Sequence, residues 1–147
     1  MEIVLATDHA GFELKELIKK YLVDLDYKVK DFGAFEYEGS DDYPDFIAPA
    51  SKYISENSDI MGIIFGGSGQ GEAISANRFK NIRAAVYYGG PIELIKLSRI
   101  HNNANILSLG ARFLSLGEAK KVINLWLNTD FEGGRHLNRI NKIDELS

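Results

Sequence analysis

The chain of 147 residues has no cysteine, so disulfides, thiolate metal sites and cysteine nucleophiles are excluded together. It also lacks a surplus of either charge: 17 basic residues stand against 21 acidic ones, interspersed, for a net charge of −4. Nothing in that balance favours a nucleic acid or an anionic membrane as partner, and a small soluble ligand or another protein fits better. No apolar run approaches the ~18 residues of a membrane span, and the start, Met1-Glu2-Ile3-Val4-Leu5-Ala6, enters a strand pattern without a basic leader, which reads as a cytoplasmic protein. Internal repeats and low-complexity tracts are missing as well. What is present is 45% hydrophobic residues in the length of one ordinary domain, enough to bury a substantial core.

Short apolar runs alternate with amphipathic ones. Strands are predicted over Ile3–Ala6, Lys28–Phe32, Ile60–Phe65, Ala84–Tyr87 and Ile106–Leu109, and helices over Phe12–Leu25, Tyr43–Ser55, Glu72–Asn77, Pro91–Asn102 and Leu116–Asn128. Strict alternation predicts an α/β fold: a doubly wound, Rossmann-like sheet of five parallel strands with helices on both faces. After Asn128 comes a polar, glycine-interrupted piece, and then helical spacing from Arg135 to Leu146; residues 129–147 read as a C-terminal arm of a single domain spanning 1–147. The stretch Gly33 to Asp42 is the one long connection without regular pattern, a candidate lid or rim.

The strongest chemical signal is Gly66-Gly67-Ser68-Gly69-Gln70-Gly71-Glu72, a turn between the third strand and the following helix. Glycines allow positive φ and remove Cβ, so successive backbone N–H groups can converge at a helix N-terminus and hold a phosphate or an oxyanion. Glu72 adds an ionisable carboxylate to that cradle. An acidic residue in a first helical turn also compensates the macrodipole wherever it occurs, so the residue type alone leaves its role open.

Ligands of open parallel sheets bind beyond the carboxyl ends of the strands. Asp8-His9 follow the first strand there, although Asp8 also suits the cap of the helix that begins near Gly11. Arg135 and Arg139 are four apart, on one helical face, either solvated or a guanidinium fork for a phosphoryl group. His101 ends the fourth long helix, where a histidine also offsets the dipole. The three histidines, His9, His101 and His136, show no ligand spacing, so no metal site is read from them. A dinucleotide fingerprint is absent too: the glycines follow the third strand rather than the first and lack the G-x-G-x-x-G spacing. Nucleotide or phosphometabolite binding without catalysis is the alternative reading.

Taken in order, Asp8-His9-Ala10-Gly11-Phe12, Asp42-Tyr43-Pro44-Asp45, the glycine loop with Glu72, Ala76-Asn77-Arg78, Ile82-Arg83-Ala84-Ala85, Ser98-Arg99-x-His101-Asn102, Asn105-Ile106-Leu107 and Glu132-Gly133-Gly134-Arg135-His136-x-x-Arg139 resemble the type B ribose-5-phosphate isomerases, relatives of the galactose-6-phosphate isomerase subunits. The resemblance implies an aldose–ketose isomerase without metal or other cofactor, acting on a phosphorylated sugar as a homodimer or a dimer of dimers. It implies Glu72, His101, Ser68 and Asp8 as catalytic residues. His101 would open the furanose ring with Asp8 at the anomeric hydroxyl, and Ser68 would assist between O1 and O2. Asn102 would bind sugar hydroxyls or the enediolate, Tyr43 would line the sugar site, Gly67, Gly69 and Gly71 would form the cradle, and His9, Arg112, Arg135 and Arg139 would hold the phosphate.

One departure bears on mechanism. Many family members carry a cysteine base at the first position of the glycine loop, where this chain has Gly66; another branch resembles this chain in having a glutamate at the position of Glu72, which implies that Glu72 is the base. Chain order adds a constraint. The glycine loop follows a strand and lies at the carboxyl edge, whereas His101-Asn102 precede a strand and belong at the amino edge, so a shared site needs two chains. The motifs do not measure the distance from reacting carbons to phosphate; the resemblance implies interconversion of ribose 5-phosphate and ribulose 5-phosphate first, with allose 6-phosphate or galactose 6-phosphate behind it.

Overall fold

The computed structural model describes residues 1–146, so the last residue of the expected arm, Ser147, lies outside the described residues. Five strands, β1 (Glu2–Thr7), β2 (Lys28–Asp31), β3 (Met61–Gly66), β4 (Ala84–Tyr87) and β5 (Ile106–Gly110), alternate with α1 (Phe12–Asp24), α2 (Pro44–Ser55), α3 (Gln70–Ala76), α4 (Glu93–Ile100) and α5 (Leu116–Leu127), and α6 (Arg135–Asp144) closes the chain. All pairings are parallel and the strand order is β2-β1-β3-β5-β4. The expected sheet is therefore present, with β5 inserted between β3 and β4, a feature of lateral order that the run of elements along the chain does not express.

Side chains of a strand alternate between faces, and here both faces are covered, which is why the strands read as continuous apolar runs. Ile3, Leu5, Ile63, Phe65, Leu107 and Leu109 face Ile18, Leu22, Ile95, Val122, Ile123 and Trp126 of α1, α4 and α5. Val4, Ala6, Ile64 and Ile106 face Ile47, Ala50, Ile54 and Ala76 of α2 and α3. Local signals set the helix ends. Ser115 Oγ accepts from Glu118 N–H at 3.1 Å while Glu118 returns the bond to the Ser115 N–H at 3.0 Å, a capping box that starts α5. Helix α4 is shorter than the predicted Pro91–Asn102. It ends at Ile100, and Asn103 turns the chain with φ +45°.

Two connections position the functional residues. Beyond β2 the chain continues alongside β1, with Thr7 N–H bonded to Gly33 O at 2.7 Å and Ala34 N–H to Thr7 O at 2.8 Å. The fully buried Lys15 fastens this stretch, donating to both Asp31 oxygens at 2.9 and 2.7 Å and to Ala34 O at 2.6 Å. Helix α6 forms the arm. It is fixed at the amino edge of the sheet by buried Ile140 and His136 and by Arg83 Nη1 to Asp144 Oδ1 at 3.5 Å.

Candidate active site

Strands β1, β3 and β5 deliver their carboxyl ends side by side, and the order in which strands are added to the sheet reverses between β1 and β3, the place where open parallel sheets bind ligands. Ala111 and Arg112 N–H bond to Gly66 O and Gly67 O at 2.8 and 3.1 Å, so the glycine turn is laced to the end of β5. Gly69 takes φ +82°, and a Cβ there would stand 3.0 Å from the Leu109 carbonyl carbon and the Ser108 Oγ, so only glycine fits both the angle and the space. Ser108 Oγ donates to Gly69 O at 2.6 Å and completes the lacing.

The other glycines of the turn make room for side chains. A Cβ on Gly71 would meet the Tyr43 ring at 2.6 Å, and one on Gly67 would lie 3.0 Å from an Arg112 guanidinium nitrogen. A Cβ on Gly66 would fall on the Glu72 carboxylate itself. Glu72 is 4% exposed, and burial raises its carboxyl pKa; its own backbone N–H pulls the other way, and the charge of Asp8 adds to the rise. Asp8, Ser68, Gly67, Gly69, Gly71, Glu72, Tyr43 and Arg112 thus gather at one edge.

Asp8 does serve as a cap, since its Oδ1 accepts from Ala10 N–H at 3.0 Å at the start of a short 3-10 turn, His9–Gly11. Its neighbour His9 is gripped by Asp41, a residue that sequence reasoning passed over. Asp41 sits one position before the Asp42-Tyr43-Pro44 motif, in the connection read as a rim. His9 and Arg112 line one cavity of about 610 Å³, together with Phe12, Glu13, Glu16 and Tyr37.

The opposite edge holds the second group. Asn105 O accepts from Gly62 N–H at 2.9 Å, which places the turn 101–105 at the amino ends of β3 and β5. From Gly62 opposite Ile106 to Gly66 opposite Gly110 the ladder holds five residue pairs, whose four steps of ~3.3 Å make about 13 Å. His101 and Asn102 are therefore separated from Glu72 and Ser68 by the length of the strands, as chain order implied. Asn103 is clamped from two sides, its carbonyl by Arg83 Nε at 2.9 Å and its Oδ1 by Arg99 Nη1 at 2.8 Å, and Arg99 Nε also holds Thr129 O at 3.0 Å at the root of the arm.

Arg135 and Arg139 lie exposed on α6 beside this turn, and His136 between them stacks on His101 with ring centroids 4.4 Å apart and planes at 21°. His136 is buried, its Nε2 finds no partner among the described residues, and burial, reinforced by Arg135, His101 and Arg139, lowers its pKa. The fold brings potential ligand atoms of His101, Glu132 and His136 within 4.8 Å of one another although the sequence shows no ligand spacing, and likewise those of Asp8, His9 and Asp41. Around His136 the Arg135 and Arg139 guanidiniums disfavour a further positive charge, while Glu132 favours one.

A parallel sheet with a buried carboxylate behind a glycine turn, and arginine and histidine groups at hand for an anion, fits the class of sugar-phosphate isomerases. The comparisons agree: the model of the Ribose/Galactose Isomerase family matches residues 3–143. Ribose-5-phosphate isomerase B of Mycolicibacterium paratuberculosis is 37% identical over 146 residues, covering 99% of this chain and 91% of the relative. Among solved structures, ribose 5-phosphate isomerase B of Thermotoga maritima superposes with a TM-score of 0.92 at 43% identity, covering 99% and 98% of the two chains. That of Mycoplasma genitalium, with bound ribulose-5-phosphate, superposes with 0.93 at 37% identity, covering 98% and 94%. The chain belongs to the ribose/galactose isomerase family and is an aldose–ketose isomerase.

Proposed function

We propose that this chain interconverts D-ribose 5-phosphate and D-ribulose 5-phosphate through a cis-enediolate, with Glu72 as the base. The observation that carries the reading is the Glu72 carboxylate itself, buried, raised in pKa and occupying the space that a side chain at position 66 would fill. A base for this reaction must take the C2 proton and return it to C1, and one carboxylate between both carbons serves both steps. Backbone N–H groups of the glycine turn hold the enediolate oxygen, an interaction worth a few kcal/mol per donor in such sites. Ser68 moves the proton between O1 and O2.

Ring opening falls to His101 with Asp8 at the anomeric hydroxyl, and Asn102 binds the sugar. Since His101 and Glu72 stand at opposite edges of one sheet, the complete site takes Glu72, Ser68, Asp8 and His9 from one chain and His101, Asn102, Arg135 and Arg139 from a second, in a homodimer or dimer of dimers with two-fold symmetry. His9 and Arg112 meet Arg135 and Arg139 of the partner at the phosphate, Tyr43 lines the sugar site, and no metal or cofactor takes part. Hexose 6-phosphates, allose or galactose 6-phosphate, are the second reading, because they present the same reacting carbons with one more CHOH before the phosphate.

The test is kcat/KM for ribose, allose and galactose phosphates with chelator present and no added metal. Preference for ribose 5-phosphate supports the proposal. Turnover of a hexose phosphate alone moves the assignment to the second reading, and binding without turnover of any sugar replaces it with a phosphosugar-binding role.

A further inference from the structure

The chain leaves β2 alongside β1 and swings over the carboxyl edge before α2, and near the end of that excursion it presents Asp41 to His9. A single oxygen, Oδ1, accepts from the His9 backbone N–H at 3.0 Å and pairs with ring Nδ1 at 2.7 Å. The Asp41 side chain is 9% exposed and that of His9 24%, and Oδ2 is buried with no partner among the described residues. Tyr37 meets the imidazole edge-on with ring centroids 6.1 Å apart. Backbone, carboxylate and aromatic edge together leave the ring little rotational freedom. Its remaining nitrogen, Nε2, is the group left to serve the cavity that Arg112 also lines.

We propose that Asp41 is a positioning residue that fixes His9 with Nδ1 protonated and Nε2 presented, beside Arg112, to the phosphate of the substrate. The phosphate assignment rests on the proposed function; the control of His9 by Asp41 stands on the geometry alone. When Nδ1–H is committed to a carboxylate, the neutral ring offers Nε2 as an acceptor only, and the ring donates to an anion only when protonated. The charges facing His9 are Asp41 and Asp8, which favour the protonated ring, and Arg112, which opposes it, with Glu13 and Glu16 across the cavity. The balance raises the His9 pKa, first through the Asp41 bond, against the opposing effect of burial. A phosphate monoester is a dianion above about pH 6, so a raised histidine widens the pH range in which a cation meets a dianion. Asp41 thus extends tight phosphate binding toward alkaline pH.

The measurement is the titration of the three histidine rings by NMR in the full-length protein, with His9 assigned through His9→Gln, in wild type, Asp41→Asn and Asp41→Ala. Asp41→Asn keeps an oxygen acceptor in place and guards against a fold that does not survive Asp41→Ala. In wild type, His9 should hold its proton on Nδ1 and titrate above an ordinary histidine, and both variants should titrate lower. In parallel, KM for the phosphosugar and the inhibition constant of inorganic phosphate should rise about tenfold at pH 8 but little at pH 6, with kcat within about twofold, the size of one lost charge-assisted contact. Unchanged titration of His9 in both variants overturns the proposal, as does a loss confined to kcat at all pH. A lowered His9 titration with phosphate affinity intact keeps Asp41 as the residue that sets His9 and removes His9 from the phosphate site.

Discussion

The Glu72 carboxylate and the missing side chain of Gly66 share one volume. Six residues apart on a strand-to-helix turn, they are complementary: any Cβ at 66 would fall on the Glu72 carboxyl carbon and oxygens. The family resemblance implies a cysteine base at position 66 in many relatives, and in the proposed function Glu72 reaches that same space from the other end of the turn. A side chain at position 66 and the Glu72 carboxylate in its present place exclude each other.

That relationship predicts the behaviour of Gly66→Ala. The added methyl must push the carboxylate aside, so kcat should fall at least ~10-fold, consistent with the sensitivity of catalysis to displacements of about 1 Å. Steady-state kinetics of Gly66→Ala, Glu72→Gln and the double variant provide the check. Because both changes act through one group, the double variant should be no slower than Glu72→Gln alone.

A raised carboxyl pKa also has a sign for stability. Burial favours the protonated form of Glu72 in the folded chain, so its contribution is favourable at pH below the unfolded carboxyl value and is lost as pH rises through the raised folded value. At neutral pH the buried charge therefore costs stability. Glu72→Gln should melt above wild type at pH 7, of the order of a few degrees, with the two converging toward pH 4. The acid limb of the wild-type kcat profile should have its midpoint above the pKa of an ordinary glutamate. Calorimetry and a pH–rate profile measure both.

Much of this was legible in the sequence because the signals were local. Buried parallel strands gave continuous apolar runs, the glycines marked the turn, and Glu72 followed within it. Arg135 and Arg139 shared a helical face by spacing alone. Asp41 was not legible, since its contact with His9 spans 32 residues and depends on the course of an irregular connection fastened by Lys15. The stacking of His136 on His101 likewise exists only once α6 is folded back across the amino edge. The insertion of β5 between β3 and β4 is a matter of lateral order, on which chain alternation is silent.

Arg135→Ala and Arg139→Ala should each raise KM for the phosphosugar by about 10-fold or more, with discrimination against the unphosphorylated sugar reduced to match, because bidentate charge-assisted contacts to phosphate are among the stronger ones. Unchanged KM in both variants would reduce α6 to a structural strap.

Opposite edges of the sheet make a two-chain site testable by mixing. On the proposed two-chain site, Glu72→Gln and His101→Ala, each inactive alone, should regain activity when unfolded and refolded together, since each mixed dimer would hold one doubly damaged site and one intact one. Random exchange gives about 25% of wild-type activity per protomer by symmetry. Mixed dimers that form and stay inactive would show that one chain carries the whole site.

The base assignment is tested most directly by Glu72→Gln, which keeps the shape and a capacity to hydrogen-bond but removes the carboxylate. Its kcat for ribose 5-phosphate should fall by at least ~10²-fold, the usual contribution of a general base, while substrate affinity measured by titration stays within a few-fold. A near-normal kcat in this variant would contradict the account, because the proton at C2 would then have another acceptor.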